Sequence, residues 1–237
     1  MSTGGGRWFV TASIIAAGMV ASACKPGSFE DLMDISVCDP GSTSFSLEID
    51  NPFFPLPVGQ QTVLEGEEFG QHLLVRVTVL NETETVAGVE TRVIEEYEAK
   101  DGRVVETSRN YFAQAEDGTV CYFGEEVDIY GADGEVASHL GAWRAGEDGN
   151  QPGIFMPPSP EVGQAFQQEI APGIAEDQAK VIALGRSTQV PAGTFTGTAT
   201  LLDRNPLDGS QGTKVYAEGI GLIVDGPAEM TSFSAGG

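Results

Sequence analysis

The sequence predicts an all-β fold, a long-stranded antiparallel meander forming a barrel or a strongly curved half-barrel. Three observations carry this expectation. Helix signals are nearly absent, because no long stretch places apolar residues at i, i+3, i+4 and i+7 between capping residues. Strand alternation is plain where Leu73, Val75, Val77 and Val79 interleave with Leu74, Arg76 and Thr78. Six Asp-Gly pairs, beginning at Asp101, Asp117, Asp133, Asp148, Asp208 and Asp225, punctuate the chain, and the first three recur every 16 residues. Asp-Gly favours a tight hairpin because both central residues tolerate positive φ. No other turn signal falls between those pairs, so the strands there should run roughly 10–12 residues, long enough for a meander to curl on itself.

Taken in chain order, residues 1–23 read as a secretory signal peptide. Arg7 supplies the positive charge, Trp8 to Val20 the apolar run, and Ala21-Ser22-Ala23 the small residues before Cys24. The apolar run is shorter than the roughly 20 residues that a membrane-spanning helix needs. The same residues resemble a bacterial lipobox with Cys24 as the lipidated residue, although Ala21 stands where Leu is usual. They also read as an Ala-x-Ala site for simple secretion. The expected localisation is therefore export to the cell envelope, as an outer-membrane lipoprotein (Lys25, not Asp, follows Cys24) or periplasmic protein, or else secretion. Residues 24–43 are expected as a lipid-anchored flexible segment, and 44–237 as a single β-domain.

Lipidation of Cys24 leaves Cys38 and Cys121, an even pair in an oxidising compartment, to form a disulfide or to remain as two thiols. Arg7 is the only charged residue of the leader, so the mature part is one unit more negative than the −23 of the whole chain. That excess repels phosphate, which argues against nucleic acid and anionic lipid surfaces as partners. It leaves calcium to consider, yet Asp203-Arg204-Asn205-Pro206-Leu207-Asp208-Gly209 begins like a calcium loop without the residues to complete it.

The turns allow a register to be derived. A two-residue turn at Asp117-Gly118 sets Arg109 opposite Glu126, Asn110 opposite Glu125, Tyr111 opposite Gly124 and Phe112 opposite Phe123. A second at Asp133-Gly134 sets Trp143 opposite Gly124, Gly141 opposite Glu126 and His139 opposite Asp128. Gly124 then lies between two aromatic rings, and opposite charges meet across strands. One face carries Phe112, Cys121, Phe123, Val127, Ile129 and Leu140 with Asn110 and Glu125, and is expected to be the core. The other carries Arg109, Tyr111, Glu126, Asp128, Tyr130, His139 and Trp143. Asn51 to Pro57 is too Pro-rich for a central strand and is expected to pack its aromatics against a barrel end. Pro152 to Pro160 reads as a rigid loop whose Phe155 and Met156 either plug the barrel or line a ligand cavity.

Asn51 to Leu56, Tyr122-Phe123-Gly124-Glu125, Pro152 to Pro157, Ala175-Glu176-Asp177 and Tyr216 to Gly221 together resemble an uncharacterised family of exported bacterial β-rich proteins and lipoproteins with the pattern N-P-[YF]-F-P-L, W-Y-F-G-E, P-G-I-x-M-P and A-E-D. The resemblance covers most of the mature chain and implies a shared β-rich fold. It brings no activity with it. Cys121 stands where that pattern carries an aromatic, which fits a disulfide particular to this chain.

No cofactor is evident, and no metal site is expected, because there are two histidines and neither a His-x-His nor a Cys-x-x-Cys pair. No nucleophile elbow is present, and Gly219-Ile220-Gly221 lacks the third glycine of a dinucleotide loop. Glu95/Glu96, Glu125/Glu126 and Glu176/Asp177 are neighbours whose side chains diverge on a strand, so they are not acid–base dyads. Glu125 stands apart as a carboxylate on an apolar face, where burial raises its pKa and demands a partner. Three readings follow. The first is a non-enzymatic envelope lipoprotein that holds a small or apolar ligand or a protein partner in its barrel. The second is an enzyme without a recognisable motif, working through Glu125 or the set Arg109, Glu126, Asp128 and His139. The third is an acidic surface protein stabilised by calcium.

Overall fold

A computed structural model of the chain describes Phe29 and residues 31–236. The expected signal peptide, residues 1–23, and Cys24 lie outside the described residues. The strands are β1 (Phe45–Ser46), β2 (Gln61–Glu68), β3 (Gln71–Val86), β4 (Val89–Lys100), β5 (Arg103–Ala115), β6 (Val120–Tyr130), β7 (Val136–Ser138) and β8 (Trp143–Arg144). They continue as β9 (Gln151–Met156), β10 (Ala165–Gln167), β11 (Glu169–Ile170), β12 (Gln178–Val190), β13 (Gly193–Arg204), β14 (Gln211–Ala217), β15 (Gly221–Asp225) and β16 (Ala228–Ser234). A single 3₁₀ turn, Ile35–Cys38, precedes them among the described residues.

The strands form an antiparallel sheet of 13 strands nearly closed into a barrel, as the alternation and turns predict. Its order is β10-β12-β13-β14-β15-β16-β2-β3-β4-β5-β6-β9-β11. The two end strands, β10 and β11, are separated in the chain by Gln168 alone, so the two ends of the path return to one point. Gly153 of β9 lets that junction close, because a Cβ there would sit 2.3 Å from the Gln168 carbonyl oxygen. Gln167 donates from Nε2 to the Glu169 and Glu176 carbonyls at 2.9 and 2.7 Å, and its Oε1 accepts from Gln178 Nε2 at 2.8 Å, which fastens β10, β11 and β12 together.

The register is recovered beyond the Asp117-Gly118 turn but not beside it. Arg109, Asn110 and Tyr111 pair with Glu126, Glu125 and Gly124 as expected. Phe112 pairs with Tyr122 and not with Phe123. The loop has three residues, Glu116 to Gly118, closed by the Ala115 N–H donating to Thr119 O, and a bulge at Phe123 restores the count. The bulge also turns Cys121 to the outer face, where it bonds to Cys38. The segment expected as a flexible tether is therefore docked from Leu32 onward: Leu32 bridges Ala165, Cys38 joins β6, and Phe45 packs edge-on against Phe123 at 5.3 Å.

The second hairpin slips by one residue. Ile129 pairs with Ser138 in the expected register, but Trp143 faces Glu125 and Arg144 faces Gly124, so the pairings of Trp143 with Gly124 and Gly141 with Glu126 do not form. Gly124 stays necessary for another reason. Its φ is +139°, and a Cβ would sit 2.4 Å from the Trp143 carbonyl oxygen. The slip moves Trp143 to the inner face, buried, and leaves Leu140 exposed. Tyr111 is buried on the outer face, so the two faces do not divide into core and solvent as expected. Pro152 to Met156 belongs to strand β9, with Pro152 opposite Glu169, in place of the expected loop.

Of the Asp-Gly pairs, Asp101-Gly102 and Asp148-Gly149 each make a two-residue turn with both residues at positive φ, 50° and 74° in the first and 51° and 86° in the second. Phe69-Gly70 and Ala87-Gly88 make the same turn without the favoured first residue, which is why neither was legible.

Candidate functional site

The inner face of the barrel is set by alternation on four neighbouring strands. β3 contributes Leu73, Val75, Val77 and Val79, which lie opposite Lys100, Glu98, Glu96 and Ile94 of β4. β5 adds Ser108, Asn110 and Phe112, and β6 adds Tyr122, Glu125 and Val127. Phe54, from the Pro-rich segment, enters the barrel and packs on Phe112, Phe155 and Tyr216 at centroid distances of 5.2, 4.5 and 6.4 Å. Phe112 and Tyr122 stack at 4.6 Å. These rings wall a lumen cavity of about 60 Å³. A water needs roughly 10–15 Å³ on the same measure, so the space suits a ligand, or the end of one, of a few heavy atoms.

The other wall is polar. Glu96, Lys214 and Asp225 line the same cavity, and Asp203, Glu98, Glu68 and Lys100 lie around them. Lys214 Nζ is 3.1 Å from Asp203 Oδ2 and 4.0 Å from Asp225 Oδ2. Lys100 Nζ is 2.6 Å from Glu68 Oε2 and 3.3 Å from Glu98 Oε1. Two of the chain's four lysines thus face inward. Asp203 Oδ1, Asp225 Oδ1 and Glu68 Oε1 are buried without a hydrogen-bond partner.

Burial pushes Glu96 up to about 7, helped by the nearby Asp225 charge and opposed by Lys214. Burial likewise raises Asp225 to about 6 against the pull of Lys214, with Asp203 and Glu68 adding to the rise. Glu98 and Asp203 are raised by burial as well. Burial alone would lower Lys214, but Asp225 and Asp203 hold it well above the ordinary lysine value. The sign of the pH dependence follows. Between their unfolded values near 4 and their folded values, Glu96 and Asp225 bind more protons in the folded state, so stability falls as pH rises through that window. The urea midpoint of the protein is expected to drop between pH 5 and pH 8, and to drop less in Glu96→Gln. A midpoint that is flat or rises over that range contradicts the assignment.

The residues singled out from sequence divide between the two faces. Asn110, Phe155, Glu125 and Trp143 face inward, and the first two line the cavity. Asn110 accepts at Oδ1 from the Tyr122 hydroxyl and donates from Nδ2 to Ser108 Oγ at 2.8 Å. Glu125 is buried directly opposite Asn110 and Trp143. Met156 is buried in the core without lining the cavity. Arg109, Glu126, Asp128 and His139 do come together, with Glu95 and Thr107, but in a groove of about 430 Å³ on the outside of the barrel. There Arg109 pairs with Glu82, and His139 Nδ1 lies 2.9 Å from Asp128 Oδ1. Arg144 covers the Tyr111 ring at 4.9 Å and pairs with Glu84 and Glu126 at 2.6 and 2.7 Å. Burial and the Glu126 charge push Tyr111 up to about 12. The set therefore lies outside the lumen, so an enzyme working inside the barrel would not draw on it.

Asp203 belongs to β13 and pairs with Lys214, so the segment that begins like a calcium loop does not present it to a metal. Among the described residues, no group of three or more His, Cys, Asp or Glu side chains is arranged to hold a metal ion. The inner residues Phe54, Glu96, Lys214, Tyr216 and Asp225 were missed. The available signal was the rarity of lysine combined with the position of Lys214 beside Val215 and Tyr216 in a strand buried on both faces.

Fold and site together define a β-barrel whose lumen is aromatic on one wall and carboxylate-rich on the other. No family model matches the chain, and neither a curated protein nor a solved structure matches it.

Proposed function

We propose that the chain is an exported envelope lipoprotein, anchored at Cys24, whose barrel binds a small ligand in its lumen. The observation that carries this reading is the cavity itself: a nearly closed sheet leaves a space bounded by Phe54, Phe112, Tyr122, Phe155 and Tyr216, with Glu96 and Asp225 on its polar side. Few-polar-group, mostly apolar cavities of this kind are the usual form of a small-molecule site. The Cys38–Cys121 bond fits the oxidising compartment that export implies. Among the described residues, the groups brought together in the lumen are stacked rings and ion pairs, which supports binding of a ligand.

The test is native against denaturing mass spectrometry of the mature chain, produced in a periplasm with Cys24→Ser. A discrete excess mass present only in the native spectrum is expected, and it should disappear in Phe155→Trp, which fills the cavity. A native mass equal to the bare chain, together with no thermal shift across a panel of small amphiphiles, overturns the lumen as a binding site.

A further inference from the structure

Resting on the lumen-binding reading, we propose that the ligand is a small organic cation, a protonated amine held between the Asp225 and Glu96 carboxylates with its apolar part against the aromatic wall. Charge balance is the first argument. Glu68, Glu96, Glu98, Asp203 and Asp225 face two cations, Lys100 and Lys214, inside one barrel. Lys100 is engaged by Glu68 and Glu98, and Lys214 lies closer to Asp203 than to Asp225. The cavity wall itself carries two carboxylates, Glu96 and Asp225, against one ammonium, Lys214.

The second argument is independent of the count. Asp225 is 5% exposed, lines the cavity, and its Oδ1 accepts no hydrogen bond. A buried carboxylate oxygen without a donor is destabilising, and more so than a neutral polar group left unpaired. A ligand N–H there removes that penalty. The opposite wall has the complementary chemistry, because aromatic faces attract cations and add attraction to an ammonium within about 6 Å. A neutral alcohol could satisfy Asp225 Oδ1 but not the excess charge, and a carboxylate ligand would add to it.

The probes are isopentylamine, isopentanol and isovalerate, which share one carbon skeleton of a size the cavity suits and differ in charge. Binding to the mature chain is followed at pH 8 by chemical-shift changes of lumen methyl groups such as those of Val77, Val79 and Ile94. The amine is expected to bind at least tenfold more tightly than the alcohol, and isovalerate more weakly than both. Asp225→Asn and, separately, Glu96→Gln should each weaken the amine about tenfold and leave the alcohol unchanged. Amine affinity should also fall from pH 8 to pH 5 as Glu96 and Asp225 take up protons, the opposite trend to stability. Equal binding of amine and alcohol, or an amine affinity unchanged in both variants, overturns the charge assignment while leaving the lumen site standing. Failure of all three probes, with a bare native mass, removes the lumen site itself.

Discussion

Replacing Cys38 and Cys121 together by alanine is expected to lower stability by about 4.5 kcal/mol, the value the chain-entropy model gives for a closed loop of this length. The bond joins residues 83 apart, so it constrains a third of the unfolded chain. It also crosses between the docked amino-terminal segment and β6, next to the strand bearing Asn110. Other contacts hold that segment as well, among them the Met33 N–H donating to Ala165 O at 2.8 Å and the pairing of Phe45 with Ala115. The barrel should therefore remain folded without the bond. Urea unfolding of the double variant is expected to show a lower midpoint together with a steeper slope, because the unfolded state exposes more surface once the loop is open. Amide exchange should rise between Leu32 and Thr43 before it rises in β6. A loss below about 1 kcal/mol, or an unchanged slope, would show that the crosslink does not act through the unfolded chain.

The lumen wall of β3 was legible because Leu73, Val75 and Val79 bury one side chain in two, and local alternation is enough to see that. The Arg109–Glu126 register was legible despite a wrong turn, since a three-residue loop and a bulge cancel. The misplacement of Trp143 came from the same kind of defect left uncancelled: one extra residue flips every side chain beyond it. The carboxylates of the lumen were hidden for a different reason. On β4, Glu96 and Glu98 alternate with Glu95 and Tyr97, so the inner face looks as polar as an outer one. Their meaning depends on Lys214 and Asp225, which arrive from β14 and β15. Those strands come near β4 only because β16 pairs with β2, a contact across the whole chain that no local pattern encodes.

Lys214→Met is expected to be the most damaging lumen substitution short of removing a core ring. The wild-type ammonium lies among Asp203, 8% exposed, and Asp225, 5% exposed, and Met keeps most of the apolar stem while deleting the charge. Breaking a buried pair from one side strands the other, which typically destabilises by roughly 3–5 kcal/mol. Here two aspartates are stranded at once, in reach of Glu96 and Glu68. The folded variant can reduce the penalty only by taking up protons, so its loss relative to wild type should be largest at pH 8 and shrink toward pH 5. A loss that is the same at both pH values would mean that the missing contacts of the lysine stem, and not its charge, are responsible. The triple variant Lys214→Met, Asp203→Asn, Asp225→Asn separates the two cleanly. Neutralising all three groups restores most of the stability if charge is the cause, since a buried pair removed whole is often near neutral. It should at the same time abolish the tenfold preference for isopentylamine over isopentanol, because the same carboxylate that needs Lys214 for folding is the one offered to the ligand.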